Sequence, residues 1–225
     1  MTKAFFVTGT DTEVGKTRVC ELLLYSATRA GLKSLGLKPV AAGAERVASG
    51  ALENEDATRL MAASSFSLPY SKVNPVCVPE PLSPHIAAQR AGVSIVLKQL
   101  KLDVESALNA GADFVLVEGA GGWRVPINSQ QTLADLAQSL ALPVILVVGM
   151  RLGCINHALL SAEAIRADGL TLFGWVANQI DEHMPAFDEN VATLRRQISA
   201  PLLGCLPFGA EPTDLGAQAR FDMAF

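Results

Sequence analysis

Charge is scarce in this sequence, and cysteine scarcer still. Only 18% of the 225 residues are Asp, Glu, Lys or Arg, against 50% hydrophobic. That balance excludes a disordered chain, which would lack the apolar surface to offset its conformational entropy. Positive charge is not in excess: the formal net charge is −4, so nothing draws the chain generally to nucleic acid or to an anionic membrane. Any anionic ligand must be held by a local site. The four cysteines (Cys20, Cys77, Cys154, Cys205) stand apart with no CxxC pair, which argues against a disulfide framework or a zinc site and for a reducing compartment, the cytoplasm. Long apolar runs are missing too. The most apolar one, Leu140 to Met150, falls far short of the ~20 residues of a membrane helix. No charged leader or small-residue cleavage site precedes the first apolar run, Phe5 to Thr8, so the N-terminus does not read as a signal peptide.

What the chain does have is a regular alternation of apolar runs and helical periodicity. After Phe5 to Thr8, apolar residues recur at helical spacing from Lys16 to about Ala30 (Val19, Leu22, Leu23, Ala27), with Gly31 ending the helix. Ser34 to Val40 reads as a second strand, residues 41 to 55 as a loop, and Asp56 to Ala63 as a short helix. Ser64 to Pro84, rich in Pro and Ser, gives no periodic signal; Ser83-Pro84 then reads as a helix cap followed by Pro at the first helical position. Helices are expected from about Ser94 to Asn109 and around Asn190 to Ser199, and strands at Phe114 to Val117, Val144 to Val148, Leu172 to Ala177 and Leu202 to Leu206. Strands buried on both faces read as continuous apolar runs, and alternation with helices implies parallel crossovers. The expected fold is a single α/β domain over residues 1–225: a doubly wound, mostly parallel sheet with helices on both faces.

Gly9-Thr10-Asp11-Thr12-Glu13-Val14-Gly15-Lys16-Thr17, between a strand and a helix, carries the strongest chemical signal. Glycines let the backbone curl so that its N–H groups face an anion, and the helix directs its positive end there. Lys16 can reach β- and γ-phosphates and the Thr17 hydroxyl can ligate magnesium. Gly9 and Gly15 are one residue further apart than in the standard pattern. The segment is a P-loop, and the fold expected is that of a P-loop nucleotide-binding enzyme.

Other residues carry two readings. Glu118 ends an apolar strand and precedes Gly119-Ala120-Gly121-Gly122; it either faces the phosphates and magnesium, as ligand sites beyond carboxyl ends of strands suggest, or caps a turn. Asp56 is a second metal ligand or a simple helix N-terminal carboxylate. Lys38, in Gly36-Leu37-Lys38-Pro39-Val40, is a second cation at the same sheet edge as Lys16, suited to a transition state with several anionic oxygens, or a surface lysine. Cys154 and His157 invite a nucleophile-and-base reading, but nothing nearby supplies an orienting third group. The better reading of Gly153 to Asn156 is a helix N-terminus whose free N–H groups bind a carboxylate.

Along nearly its whole length the chain resembles the dethiobiotin synthetase family. The resemblance is carried by Phe6 to Thr17, Lys38-Pro39-Val40, Val117 to Trp123, Leu152 to His157, and Gly174-Trp175-Val176-Ala177-Asn178. It implies a homodimer that uses ATP and Mg2+ to join CO2 to 7,8-diaminononanoate, through a carbamate and a carbamic-phosphoric mixed anhydride, closing a cyclic urea. By matching position it implies that Lys38 and Lys16 are catalytic and that Thr17, Asp56 and Glu118 hold magnesium. The nucleotide would be bound by Glu13, Val14, Gly15, Lys16, Thr17, Arg18, Asp56, Glu118, Gly119, Ala120 and Gly121, with Asn178, Gln179, Pro207, Phe208, Gly209 and Glu211 toward the base. Thr12, Lys38, Ala42, Arg151, Gly153, Cys154, Ile155 and Asn156 would bind substrate, the helix at Gly153 coming from the partner subunit. Ala42 stands where the family pattern carries Ser, Gln179 replaces an acidic residue, Arg151 stands where Lys is common, and the segment after Glu211 matches poorly.

Two rival activities lie within the same fold. A kinase of another small molecule has no reason to carry both Lys38-Pro39-Val40 and Gly153 to His157, and a glutamine-dependent amidoligase needs an added glutaminase domain for which 225 residues leave no room. A switch ATPase that works by binding partners would announce itself through a basic or amphipathic tail; Gly216 to Phe225 is short and mixed.

Overall fold

The computed structural model describes residues 2–210. Six strands form one sheet in the order β10-β9-β8-β1-β7-β2: β1 (Lys3–Gly9), β2 (Ser34–Leu37), β7 (Phe114–Glu118), β8 (Val144–Met150), β9 (Leu172–Gln179) and β10 (Leu202–Leu206). All neighbouring pairs are parallel. Every residue of β7 and β8 is buried, which is why these runs are apolar throughout rather than alternating.

The pleat divides the strands between two cores. Phe5, Val7, Phe114, Leu116, Ile145 and Val147 face one side with α1 (Lys16–Arg29). Phe6, Val115, Val117, Val144, Leu146 and Val148 face the other, with α5 (Leu97–Leu108), α6 (Leu133–Leu140), α7 (Cys154–Ala167) and α8 (Phe187–Gln197). Truncating a fully buried leucine here, such as Leu116 or Leu146, to Ala should cost about 2–5 kcal/mol. The chain builds from β1 to β2, inserts β7 between them, then crosses to β8 on the far side of β1. Ligands of such sheets collect where the strand order diverges, here at the carboxyl end of β1.

Several boundaries differ from the expectation. The second strand is not continuous to Val40: β2 stops at Leu37, and Val40–Ala42 is a separate strand, β3, paired in parallel with β6 (Val76–Val78) in its own two-stranded sheet. Lys38-Pro39 is the pivot between sheets, and proline, lacking an N–H, cannot continue a ladder. The expected loop of residues 41–55 contains a small antiparallel pair, β4 (Glu45–Arg46) and β5 (Leu52–Glu53). The helix expected from Asp56 is α2 (Glu55–Ala63), capped by the Asn54 side chain, which accepts from Ala57 N–H. The unassigned stretch holds one helical turn, α3 (Tyr70–Val73), and β6. Ser83 does precede α4 (Pro84–Arg90), but its side chain makes no capping hydrogen bond. The helix expected around Asn190 to Ser199 begins earlier, at Phe187, where Asp188 and Glu189 in its first turn suit the positive helix end.

Candidate active site

Gly15 takes a φ of 82° as it opens α1, a conformation costly for any residue with a Cβ. A Cβ there would also strike the Asn178 side chain. Glu13 sits at φ 58°, a strained position for a non-glycine and a mark of a functional turn. The loop is lashed to the sheet. Thr10 N–H donates to Val147 O (2.9 Å) and Gly149 N–H to Thr10 Oγ1 (3.2 Å). Asn178 Nδ2 donates to Val14 O (2.8 Å). Gly149 has no room for a side chain, since a Cβ there would lie 2.6 Å from Val14.

Below the loop lies a cavity of about 780 Å³ whose walls include Thr12, Glu13, Gly15, Lys16, Thr17, Arg18, Lys38, Ala42, Asp56, Glu118, Ala120 and Gly121. Its floor is an ionic cluster. Lys38 Nζ donates to Glu118 Oε1 (2.5 Å), Asp56 Oδ2 (2.9 Å) and Gly119 O (3.2 Å). Thr17 Oγ1 donates to the same Glu118 Oε1 (2.9 Å). Burial opposes charge on Lys38, but the Glu118 and Asp56 carboxylates outweigh it and hold the ammonium above the usual lysine range. Burial likewise opposes charge on Asp56, and Lys38 more than reverses it, lowering that carboxyl. Lys16 donates to Asp11 O (3.2 Å); burial first, and repulsion from Lys38 second, push it down to about 8. The surface lysine and simple turn-cap readings of Lys38 and Glu118 therefore fail: both are buried, and they are paired.

The donor set fits magnesium. Glu118 is wholly buried, yet its Oε2 has no partner, an arrangement that costs free energy unless something cationic or protic meets it. Thr17 and Asp56 stand beside it. Mg2+ takes one or two carboxylates and completes its shell with water and phosphate oxygens, and two carboxylates with the Thr17 hydroxyl are what this corner offers.

Val14 and Gly119 do not line the cavity but meet Asn178 and Lys38 through their carbonyls, and the other predicted residues fall into two clusters outside it. Asn178 and Gln179 end β9, while Pro207, Phe208 and Gly209 follow β10, its neighbour, with Asn178 in register with Leu206. Because Asn178 Nδ2 is spent on Val14 O, its Oδ1 remains, buried and unpartnered. An amide oxygen is an acceptor only. Gln179 Nε2 donates to Asp181 O (3.2 Å) and Glu182 O (3.4 Å). Glu211 lies outside the described residues.

Arg151 pairs with Asp11 (2.7 Å) across the loop mouth. Gly153, Cys154, Ile155 and Asn156 open α7, and none of them lines this chain's cavity. Burial pushes the Cys154 thiol up, away from the thiolate a nucleophile requires.

Sequence reasoning missed Arg59 and Ser83 as cavity residues. Arg59 forms a bidentate pair with Glu21 (2.9 and 2.6 Å), a long-range contact with no local signature. Ser83 reads in sequence as a helix cap, but its side chain makes no capping hydrogen bond, and the residue lines the same cavity as Ala42. Trp123 fixes the loop after Glu118: its ring meets Phe6 edge-on, and its Nε1–H donates to Asp168 (2.7 Å).

Comparison with known proteins gives consistent results. A family model described as an AAA domain matches residues 3–214. ATP-dependent dethiobiotin synthetases are similar over nearly the whole chain. That of Aromatoleum aromaticum is 55% identical over 220 residues, 97% of each chain. That of Cellvibrio japonicus is 54% identical over 221 residues, 98% of this chain and 96% of that one. Among solved structures, the MinC:MinD cell division protein complex of Aquifex aeolicus superposes with a TM-score of 0.57 at 16% identity, over 91% of this chain and 81% of that one. Chloroplast FtsY of Physcomitrella patens gives 0.56 at 19% identity, over 95% of this chain, which spans 61% of that one. At these identities the structural likeness bears on the fold alone.

Proposed function

The chain belongs to the ATP-dependent dethiobiotin synthetase family, and from that premise we propose which of its residues carry the reaction. The enzyme is an ATP-dependent ligase of biotin synthesis, joining CO2 to 7,8-diaminononanoate and closing the cyclic urea of dethiobiotin. One amine of the substrate takes up CO2 and loses a proton, giving a carbamate. A carbamate oxygen attacks the γ-phosphorus of ATP, and ADP leaves. The second amine then attacks the carbonyl carbon of the mixed anhydride and loses a proton, and phosphate departs with ring closure.

The observation that carries this reading is the placement of Lys38 between Glu118 and Asp56, in one cavity with Lys16. A carbamate attacking an anionic phosphoryl group needs neutralising charge and alignment rather than a protein nucleophile. Lys16 and Lys38 supply that charge, and the buried pairing of Lys38 fixes its position before substrate arrives. Thr17, Asp56 and Glu118 hold magnesium, which when bound offsets phosphate charge. The Thr12 to Arg18 loop and Gly119 to Gly121 bind the phosphates, and Asn178 Oδ1 accepts from the adenine amine beside Pro207 and Phe208. Substrate lies along Thr12, Lys38 and Ala42. Its carboxylate is held by Gly153 to Asn156 of a partner subunit, with Arg151 nearby. Leu152, 92% exposed, and Leu160, 57% exposed, give the homodimer contact an apolar footing. No helix among the described residues is long and apolar enough to cross a membrane, and the enzyme works in the cytoplasm.

Brief single-turnover reactions with 18O-labelled CO2 test the chemistry. The attacking carbamate oxygen should leave in the phosphate, which would carry label. Phosphate whose new oxygen comes only from water would contradict the mixed anhydride.

A further inference from the structure

Lys38 and Asp56 come from different elements, and their pairing requires that the Lys38-Pro39 pivot and the start of α2 be held at one separation. The backbone of the pivot is tied to the α3–β6 segment. Lys38 N–H donates to Val73 O (2.9 Å), Val76 N–H donates to Pro39 O (3.2 Å), and the buried Asn74 donates from Nδ2 to Lys38 O (2.6 Å). Asn74 is oriented in turn by Tyr70, whose hydroxyl donates to its Oδ1 (2.9 Å). That bond settles which end of the amide faces Lys38.

The same hydroxyl accepts the backbone N–H of Asn54 (2.7 Å). Asn54 is buried and is the N-cap of α2; its Nδ2 reaches back to Ala42 O (3.2 Å), and Asp56 follows in the first helical turn. One oxygen thus joins the two sides of the ion pair: through Asn74 to the carbonyl of Lys38, and through Asn54 to the turn that bears Asp56.

We infer that Tyr70 is a positioning residue for the ring-closing reaction, its hydroxyl setting the separation of Lys38 and Asp56. The inference rests on the assignments made above, of Lys38 to the transferring phosphoryl group and of Asp56 to magnesium. Tyr70 does not line the cavity, so it acts only through them. A misplacement of about 1 Å at a reacting centre can cost on the order of 100-fold in rate.

The test is a double-mutant cycle of Tyr70→Phe and Asp56→Asn, with kcat referred to the concentration of ADP-binding sites so that loss of folded protein does not enter. Alone, Tyr70→Phe should lower kcat at least ~10-fold and move the Michaelis constants for ATP and diamine less than ~3-fold. In the Asp56→Asn background, where the pair it serves is already broken, it should lower kcat less than ~2-fold. A merely structural hydroxyl would cost the same factor in both backgrounds. That result, or a Tyr70→Phe kcat within ~2-fold of wild type, overturns the inference. Asp56→Asn alone reports on the underlying assignment. An unchanged kcat there removes Asp56 from the site and the inference with it, while a reduced kcat with additive effects overturns only the role of Tyr70. If Tyr70→Phe does not fold, Asn74→Ala breaks the link one step nearer Lys38 and enters the same cycle with the same two outcomes.

Discussion

Replacing Lys38 by Met separates what the ion cluster does for stability from what it does for turnover. The side chains of Lys38 and Glu118 are 4% and 0% exposed, so the substitution strands a carboxylate where water cannot reach it. Breaking such a buried pair from one side costs about 3–5 kcal/mol. Asp56, 40% exposed, adds little, because solvent screens it. For a chain of this size each kcal/mol moves the thermal midpoint roughly 2–4 °C, so a fall on the order of 10 °C is expected. Turnover should drop at least ~100-fold, the loss typical when a single preorganised charge on a developing anion is removed. The double variant Lys38→Met with Glu118→Gln buries no unpaired charge; it should recover most of the midpoint and none of the turnover. The assays are calorimetry and dethiobiotin formation at saturating ATP. Near-normal ring closure by Lys38→Met would take the lysine out of the chemistry, and an unchanged midpoint would mean that Glu118 is not left as a stranded charge.

Lys16, held near 8, is lowered below the ~10.4 of an unfolded lysine. Between those values the unfolded chain binds more protons, so this group makes stability rise with pH across that window. ADP affinity should fall as pH rises through about 8, and in Lys38→Met that limb should move to higher pH, because one cause of the lowering is gone; titration calorimetry across pH measures both. Ala42→Ser should tighten diamine binding by no more than ~1.5 kcal/mol, and Ser83→Ala should weaken it by a comparable amount; Michaelis constants unmoved in both would mean that neither position touches substrate. Lys38→Ala and Asn156→Asp homodimers should each be nearly inactive, and mixing equal amounts with subunit exchange should restore about a quarter of wild-type activity if the site is shared across a two-fold axis. A chain carrying both substitutions, exchanged with an equal amount of wild type, should cut the wild-type activity to about half, because both sites of each mixed dimer are damaged.

The parts of the fold legible in sequence are those whose signal is contiguous. The P-loop is one run of residues, and strands β7, β8 and β9 are apolar because both faces are covered. The stretch around Tyr70 was not legible, since a single helical turn and a three-residue strand are too short to show a period. Asn54 before the acidic turn Glu55-Asp56 carried a readable cap signal, and Pro39 a readable strand break. The Tyr70 links to Asn54 and Asn74, and the Arg59 pair with Glu21, depend on tertiary approach. So does the fate of the Ser83 hydroxyl, because the residue type that caps a helix also serves when left free.

With these residues in these roles, ATP is cleaved only to close a ring on a carboxylated diamine. Parallel measurement of ADP and dethiobiotin, with diaminononanoate and bicarbonate present, each omitted, and both omitted, tests it most directly. ADP release should require both and match ring product one for one. ADP released without the diamine, or a phosphorylated diamine formed without bicarbonate, would contradict it.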